Sequence, residues 1–274
     1  MIQNFEDFCR ELNTCGFSME GGNAKGIFAL IDYDWLNQDM LDTPVKWHCG
    51  DRSVDPWEWR MRVLEERTDI AYSKVFFKTS GFITKDWYPY FYAVRRKGES
   101  FEDVYERGGI SHTAKRIYDI VQDGYVALHE IKALGGFGKE DKSSFDRAMV
   151  DLQMGMFITM TGRKQKKNKY GIEYGWNSTV FCTTEEFWGE DLSMDISYED
   201  AYQKIHDRTG TENDNFFPGF LSGKRSRVPC ILIFAFHGAI SANGNAAQRI
   251  NRIPHLLLED SRAHKHGELV DLNA

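Results

Sequence analysis

Between Gly109 and Phe187 the apolar residues keep one period and then switch to another, and this constrains the fold more than any other feature of the chain. Ala114, Ile117, Tyr118 and Val121 stand at i, i+3, i+4 and i+7, the stripe of an amphipathic helix over His112 to Gln122. Gly124 ends it. Tyr125 to Ala127 reads as a short extended piece, and Leu128 to Leu134 as a second helix stopped by Gly135-Gly136. A third helix, capped by Ser143 or Ser144, carries Phe145, Ala148, Met149 and Leu152 and closes at Gly155. The period then falls to two. Met156–Thr161 and Glu173–Thr183 alternate, and Gly162-Arg163-Lys164-Gln165-Lys166-Lys167-Asn168-Lys169-Tyr170-Gly171 lies between them.

Helix, short strand, helix, turn, helix and hairpin, in that order, form a winged helix. The expected fold class is α+β, mostly α, with the winged helix at 98–187 following an aromatic-rich helical N-terminal region at 1–97. The wing tip holds five cations, Arg163, Lys164, Lys166, Lys167 and Lys169, and no acid. On a hairpin they suit a phosphate backbone, with salt-sensitive binding through counterion release. The same residues also suit a solvated loop tip, and winged helices also serve as protein contacts. The third helix is the usual groove reader. Its base-reading candidates are Arg147 and Gln153, but Asp146 and Asp151 oppose phosphates there. The formal charge of −7 and pI of about 5.7 place any nucleic-acid affinity in a local patch rather than in the whole molecule.

Upstream, Phe5, Phe8, Cys9 and Leu12 mark an opening helix that ends at Cys15-Gly16, Gly21-Gly22-Asn23 reads as a turn, and Ile27 to Ile31 is a short apolar run. Asp55 is a plausible N-cap with Pro56 at the first helical position, and Trp59, Val63 and Arg67 share one face of that helix. Val75-Phe76-Phe77 is strand-like. Thr84 to Val94 reads as a helix capped by Thr84. The segment from Trp47 to Arg60 is the densest mixture of aromatic and titratable groups. Aromatics stack on an exposed base and a neighbouring acid activates water, which makes His48, Asp51, Asp55 and Glu58 the catalytic candidates. The competing assignment puts Trp57 and Trp59 in the core and Asp55 on a helix cap. Residues 188–221 hold an acidic helix near Ser197 to Arg208 and a linker. Residues 222–274 form an atypical tail with the basic cluster Lys224-Arg225-Ser226-Arg227.

The five cysteines contain no CxxC pair, and no His or Cys set has metal-ligand spacing. Phosphate-loop, dinucleotide and nucleophile-elbow motifs are absent from the sequence, so no cofactor or metal is expected. The N-terminus lacks a basic segment followed by an apolar one, and the longest apolar run, Val228 to Phe236, is too short for a bilayer. A cytoplasmic setting with no membrane contact is the expectation. DNA is the expected partner, with a protein partner or a homodimer as the other possibility.

The text WHCGDRSVDPWEWR, KTSGFITKDWYPYFYAVRR, DLQMGMFITMTGRKQ and YGIEYGWNS resembles proteins related to the AlkZ (YcaQ) DNA glycosylases of the winged-helix glycosylase superfamily. The resemblance runs from Trp47 to about Trp188 and implies tandem winged-helix architecture and excision of alkylated or crosslinked bases. The family's catalytic Gln-x-Gln or Gln-x-Asp motif has no match after Gln38, Gln122, Gln153, Gln165, Gln203 or Gln248. The resemblance therefore implies a short form that binds nucleic acid, with catalysis open.

Overall fold

The computed structural model describes residues 2–20, 30, 44–192 and 195–209. The expected turn at Gly21-Gly22-Asn23, most of the run from Ile27 to Ile31 and the whole of 222–274 lie outside them.

Helix α1 (Phe5–Cys15) starts where the Asn4 carboxamide oxygen accepts the Asp7 N–H, and it ends at Gly16, whose φ is 95°. Gly16 has no alternative: a Cβ there would sit 2.2 Å from the Trp87 ring. Strand β1 (Phe17–Met19) follows directly. Helix α2 (Pro56–Glu66) has Asp55 as N-cap and proline in its first turn, as the sequence indicates, with Trp59 and Val63 buried. Strands β2 (Ile70–Phe76) and β3 (Thr79–Thr84) form a hairpin whose turn residues, Phe77 and Lys78, both have positive φ. That is the backbone sense of a tight two-residue hairpin turn, here built without glycine. The antiparallel sheet has the order β1-β3-β2.

The helix expected from Thr84 is displaced. Thr84 ends β3, and its hydroxyl donates to the Gly16 carbonyl at 2.9 Å. Helix α3 (Tyr88–Arg96) begins after Trp87. Pro89 explains the shift. Proline is tolerated in the first helical turn, where its missing N–H needs no partner, and not five residues into a helix. A capping box between Ser100 and Asp103 opens α4 (Phe101–Glu106).

Next come α5 (His112–Val121), β4 (Val126–Ala127), α6 (Leu128–Leu134), α7 (Lys142–Met154), β5 (Ile158–Lys167) and β6 (Glu173–Thr183). The strands make a second antiparallel sheet of order β4-β6-β5. Helix α7 starts two or three residues earlier than serine capping implies. Asp141 takes the cap position, and Ser144 Oγ donates to the Asp141 carbonyl instead. The larger difference is in β5. It runs to Lys167 rather than stopping at Thr161, so four of the five hairpin cations lie on a strand and only Lys169 lies in the turn. Helix α8 (Thr184–Trp188), a 3-10 turn at Gly189–Leu192 and α9 (Tyr198–Thr209) complete the described chain.

One apolar cluster draws Phe8, Leu12, Trp59, Val63 and Ile70 together with Phe145, Leu152, Ile158, Met160 and Phe181. A second packs Phe17, Phe76 and Phe91 with Trp188, Ala201 and Ile205. Among the described residues no helix is long and apolar enough to cross a membrane.

Candidate nucleic-acid interface

The β5–β6 hairpin is held at its base and bare at its end. Near the base the ladder pairs Ile158 with Thr183 and Met160 with Phe181, all buried or nearly so. Further out the register shifts between Lys164 and Lys166, where Gln165 Nε2 donates to the carbonyls of Tyr174 (2.9 Å) and Gly175 (2.8 Å). Gly175 sits at φ 67°. The turn closes through the Asn168 side chain, which accepts the N–H groups of Tyr170 (2.9 Å) and Ile172 (3.1 Å). Self-hydrogen-bonding of this kind orders a tip that has no core beneath it.

The five cations divide into two sets. Arg163 donates to Glu65 of α2 at 2.7 and 3.0 Å, and Lys164 to Glu130 of α6 at 2.6 Å. Burial raises the Glu65 carboxyl, but the hydrogen bonds from Arg163 and Arg52 outweigh it and leave Glu65 below its ordinary value. The Lys164 hydrogen bond likewise lowers Glu130. These two cations brace the hairpin against the helices. Lys166, Lys167 and Lys169 lie further out, and among the described residues none of the three is in an ion pair.

The same end of the hairpin carries four large apolar side chains that the charge pattern obscured. Tyr170, Ile172, Tyr174 and Trp176 are between 54% and 76% exposed. Their signal was present in the text YGIEYGW, whose alternation marks a strand; what periodicity alone misses is that this stretch projects beyond the core.

Of the two base-reading candidates on α7, Arg147 is exposed. Gln153 is not, and that assignment is corrected. It is 2% exposed, its Oε1 accepts from Ser73 Oγ (2.9 Å) and the Lys74 N–H (3.1 Å), and its Nε2 donates to the Met149 carbonyl (2.8 Å). Its hydrogen-bonding capacity is spent fastening α7 to β2.

In the tryptophan segment Asp55 is 1% exposed and accepts three backbone N–H groups, from Trp57 (2.9 Å), His48 (3.0 Å) and Gly50 (2.8 Å). The exposed Asp51 accepts the Ser53 hydroxyl and N–H, and these bonds lower its carboxyl below the usual range. Both carboxylates thus organise the loop itself. His48 is exposed and Glu58 half-buried. A string of contacts leads from this loop inward: the His48 ring lies 4.8 Å from Trp57, the Arg60 guanidinium 3.3 Å from the Trp57 ring centre, and Arg60 Nη1 3.6 Å from Glu20. Glu20 Oε2 accepts the hydroxyl of the buried Tyr72 at 2.7 Å. Burial, with the Glu20 charge beside it, pushes the Tyr72 phenol well above its ordinary value. Neither Glu20 nor Tyr72 stands out in the sequence, because 52 residues separate them. Among the described residues no group of three or more His, Cys, Asp or Glu is placed to hold a metal ion.

The AlkZ-related family model matches residues 2–214. Among solved structures, the chain is similar to the Streptomyces sahachiroi DNA glycosylase AlkZ at 12% identity and a TM-score of 0.33, over 57% of this chain and 42% of that one. The chain thus spans less than half the length of that glycosylase. No curated protein matches. The family match takes in well over half of the 274 residues, and the chain belongs to the AlkZ-related family.

Proposed function

We propose that this chain is a winged-helix nucleic-acid-binding protein with a role in DNA repair, and that its wing anchors DNA by the phosphate backbone. The element order from α5 to β6, with β4 paired to β6 at the base of the hairpin, supports the winged-helix assignment. The observation that carries the binding is the division of the five hairpin cations. Two are neutralised by Glu65 and Glu130, and the other three lie further out and, among the described residues, in no ion pair. A phosphate backbone supplies the missing counter-charge, and each contact releases condensed counterion. Arg147 supplies a further contact on α7, and with Asp146 and Asp151 on the same helix that contact positions the duplex rather than reading it.

Fluorescence anisotropy on duplex DNA over a salt series tests this. Replacing Lys166, Lys167 and Lys169 together with Ala should reduce the slope of log affinity against log salt by about 2 to 3, given roughly 0.9 per phosphate contact. A slope equal to wild type removes the wing as the contact.

One observation favours a second reading, hydrolysis of an N-glycosidic bond. Glu20 Oε1 is enclosed and, among the described residues, accepts no hydrogen bond; Arg60 Nη1 lies 3.6 Å from this same oxygen, and Oε2 accepts the Tyr72 hydroxyl. A carboxylate so placed is equipped to orient water or to stabilise a developing sugar cation. Release of free base from alkylated DNA is the assay. Activity that survives Glu20→Gln excludes this site.

A further inference from the structure

We infer that the wing carries an aromatic platform for unpaired bases, centred on Trp176, so that the chain prefers DNA with extruded, bulged or single-stranded nucleotides over intact duplex. The inference rests on the phosphate-anchoring reading above and names the kind of DNA that the same hairpin takes.

The motive is a concentration of apolar surface where folding gives no reason for it. Tyr170, Ile172, Tyr174 and Trp176 all stand exposed within seven residues, whereas Trp47, Trp59 and Trp188 are buried. Each such side chain gains about 1.5–3 kcal/mol on full burial, and clustered exposure of this sort marks a binding surface rather than scattered surface apolarity. The backbone is shaped to present it. The register shift beside Lys164, the two hydrogen bonds from Gln165 and the positive φ of Gly175 interrupt the regular ladder immediately before Trp176. A bulge of this kind re-aims the side chains beside it.

Charge selects the occupant. Lys166 lies directly opposite Tyr174 in the ladder, so the two side chains share a face of the hairpin, and the Lys169 ammonium lies 5.0 Å from the Tyr170 ring. The partner must therefore offer planar apolar groups next to anionic ones at short, regular intervals. A nucleic acid with accessible base faces meets that description. Intact duplex does not, because its base faces are already stacked on one another. Basic residues interleaved with aromatic ones are the usual platform for unpaired strands.

The test uses the full chain and three fluorescein-labelled DNAs at one salt concentration: a single strand, a duplex with a one-base bulge, and the fully paired duplex. Wild type should bind the first two more tightly than the third. Trp176→Ala should weaken the first two about ten- to a hundred-fold, the range for loss of one base stack, while paired-duplex affinity and the salt slope stay near wild type. Trp176→Phe should recover most of the loss. Equal affinity of wild type for all three DNAs overturns the inference, and so does a Trp176→Ala loss that is the same on all three. In both cases a salt slope that still falls in the triple-lysine variant leaves the phosphate anchor standing. A chain that binds none of these DNAs at low salt, and instead captures an acidic protein through the hairpin, overturns both. Trp176 is exposed, and far-UV circular dichroism checks that its variants remain folded.

Discussion

Asp55 shows how a residue can look catalytic and act as scaffold. An acid among tryptophans invites a role in activating water, yet this carboxylate is enclosed and three of its roughly four acceptor positions are taken by backbone N–H groups. Its capping role was legible, because Asp followed by Pro is a helix-start signal. The other two donors were not. His48 reaches the carboxylate only through a positive φ of 57°, an uncommon conformation for a residue other than glycine that no spacing rule reveals. Asp55→Ala should therefore cost about 2–3 kcal/mol, combining a lost cap with stranded N–H donors. Asp55→Asn, which keeps one acceptor oxygen, should cost less. Urea unfolding with an unchanged m-value would show it, and a fall in DNA affinity per folded molecule would contradict the structural role. The thiols follow the same logic of enclosure. Burial pushes Cys9 up to about 11, and Cys15 and Cys182 up to about 12. At pH 8 their thiolates are minor species and sterically shielded, while Cys49 is exposed. Iodoacetamide at pH 8 should modify Cys49 in the folded chain and reach Cys9, Cys15 and Cys182 only after unfolding, as peptide mass mapping would record.

At the scale of elements, periodicity located helices well and strand ends poorly. Helices α5 and α6 fall within one residue of their expected limits because a glycine stop ends each of them and an apolar stripe marks α5. The β5 strand outran its expected end by six residues because the ladder continues through lysines once the hairpin leaves the core. Backbone pairing requires no apolar pattern, so nothing in the alternation announces it. Gln153 failed for a complementary reason. It lies four residues after Met149 and eight after Phe145, squarely on the buried stripe of α7, but its polarity suggested an outward, base-reading role. Strand β2 is an edge of its sheet, and Gln153 packs against that edge. Lys74 needs an acceptor for its N–H, and Gln153 supplies it along with one for Ser73. Gln153→Leu should fill the same space yet leave the buried Ser73 hydroxyl and the Lys74 N–H without an acceptor, a loss of about 1–3 kcal/mol. Thermal unfolding measures that cost. DNA affinity of the folded variant should match wild type, whereas a base-reading glutamine would lose discrimination between sequences.

For the molecule as a whole, the sequence suggests a boundary near residue 97, where the aromatic-rich text gives way to the helical stripes, and the packing runs straight through it. Phe8 and Leu12 of α1 and Trp59 of α2 belong to the same cluster as Phe145, Leu152 and Phe181. Three further ties cross the same point: Gln153 to β2, Arg163 to Glu65, and Arg96 of α3 to Glu185 of α8 at 2.9 Å. Long-range burial of this kind leaves no periodic trace, because each partner contributes an ordinary apolar residue to its own element. It carries a direct consequence for stability. A fragment comprising residues 98–188 would lack α2 and β2, which pack against β5 and α7 in the intact chain, and a domain of about 90 residues is too marginal to lose part of its core. Residues 2–209 should unfold as one cooperative unit, so guanidinium transitions followed by tryptophan fluorescence and by far-UV circular dichroism should coincide. The 98–188 fragment should show no cooperative transition. Two separated transitions in the intact chain, or a cooperatively folding fragment, would show that the hairpin and its helices stand on a core of their own.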